Sequence, residues 1–278
     1  MKKLFLIAPL LFLGCVNSSH IERKIEKRSE EMKLLNDYHI TKKSLHKLGN
    51  DFIFLALSTD GSLIFYKIDK NYDLLYSKKI DLVINPIKVK VIKEKIYILA
   101  YSETENRPIF LTLDKNGNII KKFFIGKKFN TPKDFLIENN NIIIALNSYS
   151  QNNLSDIVIY KNNQSFKFST EYAEEISNII PYQNGYLIIG NISKNTQDIL
   201  ISYLDNNFKS IWSREIDFGL EESVKEIRIV DNKIILDIVS QNYTGMEEYY
   251  TLKLDKNGNI LNKNKEFEIK NYPLKFQG

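Results

Sequence analysis

The chain has 278 residues, a formal charge of +5, 43% apolar and 12% aromatic residues, three histidines and one cysteine. Lysine is spread beside Asp and Glu instead of clustering on one stretch, which excludes a nucleic-acid-binding face. One cysteine excludes an internal disulfide framework, and His20, His39 and His46 lack carboxylate partners at ligand spacing, which excludes a His-rich metal site.

The first fifteen residues read as an address. Lys2 and Lys3 form a positive start, Leu4 to Leu13 an apolar run, and Gly14 precedes Cys15. The run is too short to span a bilayer as a mature helix and has the layout of a secretion signal. It resembles a bacterial lipoprotein signal, which implies a signal peptide over residues 1–14, cleavage before Cys15 and diacylation of that cysteine. Two acyl chains anchor stably where one does not. A plain signal peptide with Cys15 fortuitously at the cut is the alternative. The expected location is the bacterial cell envelope, lipid-anchored at the outer membrane facing the periplasm or at the cell surface. Without residues 1–14 the formal charge is +3 over 264 residues. Residues 15–39 then form the lipidated cysteine and a tether. Ile21, Ile25, Met32 and Leu35 make a thin apolar stripe within a charged, helix-forming stretch. Two heptads are too short for a firm coiled coil, so a short helical spacer is expected.

From residue 40 to 278 the chain is one domain built of repeats. Leu113-Asp114-Lys115-Asn116-Gly117-Asn118-Ile119 recurs as Leu254-Asp255-Lys256-Asn257-Gly258-Asn259-Ile260, with weaker copies at Ile68-Asp69-Lys70-Asn71, Tyr160-Lys161-Asn162-Asn163 and Leu204-Asp205-Asn206-Asn207. The second residues of these copies are 44 to 50 positions apart. Strand-like repeats of that period predict an all-β, five-bladed β-propeller of four-stranded antiparallel blades. The second strand of each repeat is a continuous apolar run, such as Phe52 to Leu57, Ile96 to Ala100, Ile142 to Leu146, Tyr186 to Gly190 and Ile234 to Ile238. Runs of that kind suit strands covered on both faces. The DKNGN sequences have their glycine at the fourth place, where a calcium loop of the helix–loop–helix type needs it at the sixth. Asn116-Gly117 and Asn257-Gly258 are instead expected as type I′ hairpin turns.

Asn184 to Gly190, Asp198 to Ile201, Leu204-Asp205 and Ile211-Trp212 together resemble the repeat of secreted bacterial propellers of the quinoprotein-like (PQQ-like) type. That resemblance implies the fold over residues 40–270. The tryptophan of the repeat is kept once, at Trp212; Tyr76, Phe123, Phe166 and Leu261 stand at the equivalent places. The family's tryptophan-docking order is therefore expected to be missing, and no cofactor is carried over.

No catalytic set emerges. Gly-x-Ser-x-Gly, Gly-x-Gly-x-x-Gly and phosphate loops are all lacking. Asp237, an acid inside a buried-strand pattern, is costly unless paired or solvated and is expected to line a central channel. Asp156 and Asp198 open equivalent third strands and read as turn caps. Tyr149 and Tyr243 fall in the same long loop of repeats three and five, where loops carry contacts. Asp237, Tyr149 and Tyr243 are thus the candidate binding residues, with no metal site. The function expected is a lipid-anchored, non-enzymatic protein-binding or scaffolding module. Its alternative is a carbohydrate-binding or carbohydrate-active five-bladed propeller.

Overall fold

A computed structural model describes residues 45–139, 141–149, 154–162, 164–262 and 268–277. The signal, Cys15, His20, His39 and the tether lie outside these residues. No helix occurs among the described residues, and every described ladder is antiparallel. The chain falls into two units. The first takes the described residues up to Val83 with Val91–Lys95 and Lys115–Gly117; the second takes Ile84–Lys90, Ile96–Asp114 and the described residues from Asn118 onward.

In the first unit β1 (His46–Leu48), β2 (Asp51–Leu57), β3 (Ser62–Ile68) and the start of β4 (Leu74–Ile92) make a meander in chain order. Phe54 stacks on Tyr66 and Phe52 on Tyr72 in its small core. Strand β4 runs for 19 residues, and its later part heads a second meander with β5 (Lys95–Ser102), β6 (Arg107–Leu113) and β7 (Ile119–Phe124). The third sheet contains β8 (Thr131–Glu138), β9 (Asn141–Tyr149), β10 (Ser155–Lys161) and β11 (Gln164–Ser169). The fourth contains β12 (Ala173–Tyr182), β13 (Gly185–Ser193), β14 (Gln197–Asp205) and β15 (Ser210–Asp217). The fifth has β16 (Glu221–Val230), β17 (Lys233–Gln241) and β18 (Glu247–Leu254).

Five meanders are present, but they are not five separate four-stranded sheets. Among the described residues the sheets hold seven, five, five and three strands. The uninterrupted β4 joins the first two meanders. Among the described residues the fifth has three strands, with a Leu254–Ile260 bridge where a fourth would begin. Two further strands, β19 (Glu268–Asn271) and β20 (Lys275–Gln277), leave the fifth sheet; β19 pairs with β15 and β20 with β11.

Strand alternation explains the apolar runs. In β13, Tyr186 and Ile188 pack toward the third sheet with Ile143, Ile157 and Phe168, whereas Leu187 and Ile189 pack toward the fifth with Ile234, Leu236 and Leu252. Successive residues of a strand face opposite ways, so a strand covered on both sides is apolar throughout. Leu99 and Phe110 meet Phe135 and Ile144 in the same manner between the second and third meanders.

The expected type I′ turns are not what forms. Asn116 and Asn257 keep negative φ, while Gly117 (φ 73°) and Gly258 (φ 75°) take the left-handed conformation. The loop is longer: Asp255 N–H donates to the Asn259 carbonyl, and Asp255 Oδ1 accepts the backbone N–H groups of Asn257 and Asn259 at 2.8 Å. Asp205 and Asp69 cap their turns in the same way. The repeated aspartate therefore serves the turn's backbone. Where the glycine is replaced, Tyr72 (φ 71°) and Phe208 (φ 61°) hold the same conformation. Phe208 is fully buried and stacks on Tyr186 at 5.0 Å, so packing offsets the strain of a bulky residue there.

Aromatic docking persists with other residues than tryptophan. Trp212 donates its indole N–H to the Lys256 carbonyl at 3.1 Å and lies against Gly258. Phe166 packs on Phe208 at 4.6 Å. In the first unit Tyr76 donates to the Lys115 carbonyl at 3.3 Å. Tyr76, Phe166 and Trp212 thus each seat on the turn of the following repeat, with tryptophan in that place once.

Candidate functional site

Each of the third, fourth and fifth sheets has two edges: one carries the Asp/Asn turns, the other the connections between second and third strands and between successive sheets. The second edge collects the chemistry. At the bulge near the start of β12, Asn147 of β9 accepts the Ile176 N–H at 2.9 Å, and Asp134 of β8 accepts the Ile179 N–H at 3.2 Å. Asp134 is 2% exposed and also faces Lys88 and Lys90, at 3.7 and 3.5 Å. Burial lowers the pKa of Lys90, with Asp134 opposing that shift. One sheet later, Asn191 and Gln197 donate to the Glu222 carbonyl at 2.8 and 3.1 Å. Polar side chains therefore lock the first strand of each following sheet.

Asp198, Asp217 and Glu222 converge at this edge, between the fourth and fifth sheets. One carboxylate oxygen of each lies within 4.8 Å of the others. Asp198 is the second residue of β14, Asp217 the last of β15 and Glu222 the second of β16. Thr196 Oγ1 donates to Asp198 at 2.9 Å, and the Gly219 N–H to Asp217 at 2.6 Å. The Leu220 N–H donates to Glu222 Oε1 at 3.0 Å. Burial, then the charges of Asp217 and Glu215, pushes Asp198 up to about 6. Burial, then Asp198 and Asp217, pushes Glu222 up to about 7. The turn-cap expectation for Asp198 captures its Thr196 contact and misses the cluster. Asp156 has a different fate: Lys167 pairs with it at 2.9 Å.

The exposed aromatic residues of the second unit occupy the same edge. Tyr149 ends β9 and is 49% exposed, while Tyr243, in the β17–β18 loop, is 86% exposed. Met246 and Tyr249 follow, at 65% and 72%. Phe129, between β7 and β8, is 66% exposed and holds φ 64°. Its N–H reaches the Asn106 carbonyl at 2.7 Å. Sequence reasoning found Tyr149 and Tyr243 but not Phe129, for which a bulky residue between Lys128 and Asn130 is the one available cue.

Asp237 is held by partners on its own sheet. Alternation in β17 turns Ile234, Leu236 and Ile238 to the core and Asp237 to the partly exposed face. There it pairs with Arg228 and accepts from Thr251 Oγ1 at 2.7 Å. His46 is partly buried, and burial lowers its pKa.

A cavity of about 510 Å³ lies between the second and third meanders, lined by Phe123, Phe124, Ile144, Tyr160, Lys121 and Asn162. It opens where the turn of repeat three closes early: Lys161 pairs directly with Gln164, so Phe123 has no long turn beneath it.

No protein-family model matches the sequence. An uncharacterized protein of Aquifex aeolicus is 28% identical over 82 residues, covering 28% of this chain and 24% of that protein. The chain thus matches about a quarter of that relative's length. Among solved structures, the β-propeller domain of the trilobed protease from Pyrococcus furiosus is similar at TM-score 0.38 and 11% identity, over 73% of this chain and 75% of that one. The N-terminal part of BBS1, solved in complex with ARL6, reaches TM-score 0.44 and 11% identity over 76% and 74%. The C-terminal domain of PilY1 from Pseudomonas aeruginosa reaches 0.40 and 11% over 76% and 71%.

Proposed function

We propose that the chain is a lipid-anchored β-propeller of the cell envelope that acts as a non-enzymatic module binding a partner protein. The supporting observation is the segregation of exposed aromatics: Phe124, Phe129, Tyr149, Tyr243 and Tyr249 of the second unit all lie at the edge carrying the inter-sheet connections. Tyr and Phe, with Met246 beside them, are the residue types enriched in protein interfaces. A strained, exposed Phe129 adds to this, since local strain collects at working surfaces. The anchor rests on Cys15 and the signal pattern before it.

The carbohydrate-active reading fares less well. A glycosidase needs two carboxyl groups flanking an accessible sugar. Asp198 and Glu222 are 3% and 0% exposed, and the cavity next to Phe123 is lined without a carboxylate. Whole-cell crosslinking followed by purification tests the proposal. A discrete crosslinked protein that disappears in Phe129→Ala and Tyr243→Ala variants of unchanged melting temperature supports it. Crosslinks indifferent to both substitutions, or saturable glycan binding lost in the same variants, overturn it. Cys15→Ser losing membrane association is expected alongside.

A further inference from the structure

The fourth and fifth sheets meet at an acidic cluster whose counterpart, one repeat earlier, is chemically complete. The ladders fix the equivalence. Asp156 and Asp198 are each the second residue of a third strand; Lys167 and Glu215 each face the residue two further on, Val158 and Leu200. Ser169 and Asp217 each end the fourth strand. Glu174 and Glu222 each precede by two residues the bulge of the next first strand.

In the earlier copy every carboxylate has a donor. Lys167 reaches Asp156 at 2.9 Å. Glu174, fully buried, accepts from the Thr170 hydroxyl and from Tyr272 Oη, the latter at 2.6 Å. In the later copy two of those donors are exchanged, Lys167 for Glu215 and Thr170 for Phe218, and a third acid, Asp217, stands where the earlier copy has Ser169. The nearby Lys194 is engaged at 2.5 Å by Glu215, and Lys270 approaches Asp217 only to 3.9 Å.

The shortage falls on one atom. Glu222 is 0% exposed; its Oε1 takes Leu220 N–H and, at 3.4 Å, Ser240 Oγ, whereas Oε2 is buried with no hydrogen-bond partner. A buried carboxylate oxygen without a donor is expensive, and three carboxylates this close repel one another. A bound cation removes both costs. The donor set is all oxygen, without imidazole or thiolate, which selects a hard ion over zinc or copper. Asp217, with its side chain 23% exposed, leaves the site an approach from solvent for the waters that such ions keep.

We infer that Asp198, Asp217 and Glu222 form a Ca²⁺-binding site at the junction of the fourth and fifth sheets, from their convergence and from the buried Glu222 oxygen that has no donor. The ligands come from β14, β15 and β16, so the ion fastens the three-stranded fifth sheet to the fourth. This site lies at the same edge as the exposed aromatics invoked for partner binding but shares no residue with them.

The test uses the full chain in detergent, stripped with EDTA and titrated with CaCl₂ at pH 7.5 by calorimetry and by thermal melting. One saturable site is expected, with a dissociation constant of about 10 µM to 1 mM, and melting rises on saturation. Mg²⁺, which demands stricter geometry, binds at least about tenfold more weakly. Asp217→Asn, at the accessible side, weakens Ca²⁺ by at least about tenfold while the EDTA-treated protein still melts cooperatively. Glu222→Gln abolishes binding and leaves the stripped protein no less stable. Absence of saturable Ca²⁺ binding up to 10 mM, or binding unaltered in both variants, overturns the inference.

Discussion

The indole N–H of Trp212 and the carbonyl of Lys256, 3.1 Å apart, join the fourth strand of one repeat to the turn of the next. The turn is shaped to receive it: Gly258 holds φ 75°, and a Cβ added there would sit 2.9 Å from the indole ring. Trp212→Phe removes the hydrogen bond and is expected to cost about 1 kcal/mol. Gly258→Ala adds strain and a clash, at about 1–3 kcal/mol. Urea unfolding midpoints check both. Because both act on the same contact, the double variant should lose less than the sum of the two.

Asp134 holds the bulge of the following sheet through Ile179 N–H while nearly buried. Asp134→Ala leaves that N–H without its acceptor and removes the counter-charge of Lys90, which keeps the Phe135 carbonyl, and is expected to cost about 1–3 kcal/mol. Asn147→Ala strips the Ile176 N–H of its partner and is expected to cost about 1–3 kcal/mol. Amide exchange should quicken at Ile176 and Ile179 before it does elsewhere in β12; uniform exchange would contradict this local role.

The pH dependence of the EDTA-treated protein follows from Asp198 and Glu222, raised to about 6 and about 7 from 3.8 and 4.5. A carboxyl with a raised folded pKa stabilises the fold while it is protonated there. Its contribution is intact below the unfolded value and is lost as pH climbs through the folded one. Melting temperature should therefore fall between pH 5 and pH 8 more steeply in the native chain than in Glu222→Gln. Glu215, Lys194, Lys270 and Asp217 surround these groups in both proteins, so the difference reports Glu222 together with its effect on Asp198. Identical slopes would refute the assignment.

Asp237 is bound to surface partners, Arg228 and Thr251. Surface ion pairs contribute about 0–1 kcal/mol, so Asp237→Ala should shift stability by less than about 1 kcal/mol. Partner crosslinking should be unchanged as well. A large loss in either measurement would restore a functional role for this acid.

Most strands were legible because a 45-residue repeat carries its own register. Tyr186 to Gly190 falls inside β13, and Asp198 to Leu204 falls inside β14. Three features were not. The continuity of β4 depends on no glycine or tight turn intervening between Leu74 and Ile92, which reads equally as two strands. Strands β19 and β20 find partners more than fifty and a hundred residues earlier, beyond any local pattern. The acidic cluster gathers Asp198 with Asp217 and Glu222 from separate strand ends, each of which reads singly as a cap. Comparing Lys167 with Glu215 across repeats is the cue that was present and unused.

The stretch from Glu268 to Gln277 gives β15 and β11 their outer neighbours. During synthesis these two rows of backbone amides wait, unmatched, until about a hundred further codons have been read after β11. A shortened transcript would thus bare two sticky borders at once, far along the chain from where the message was cut.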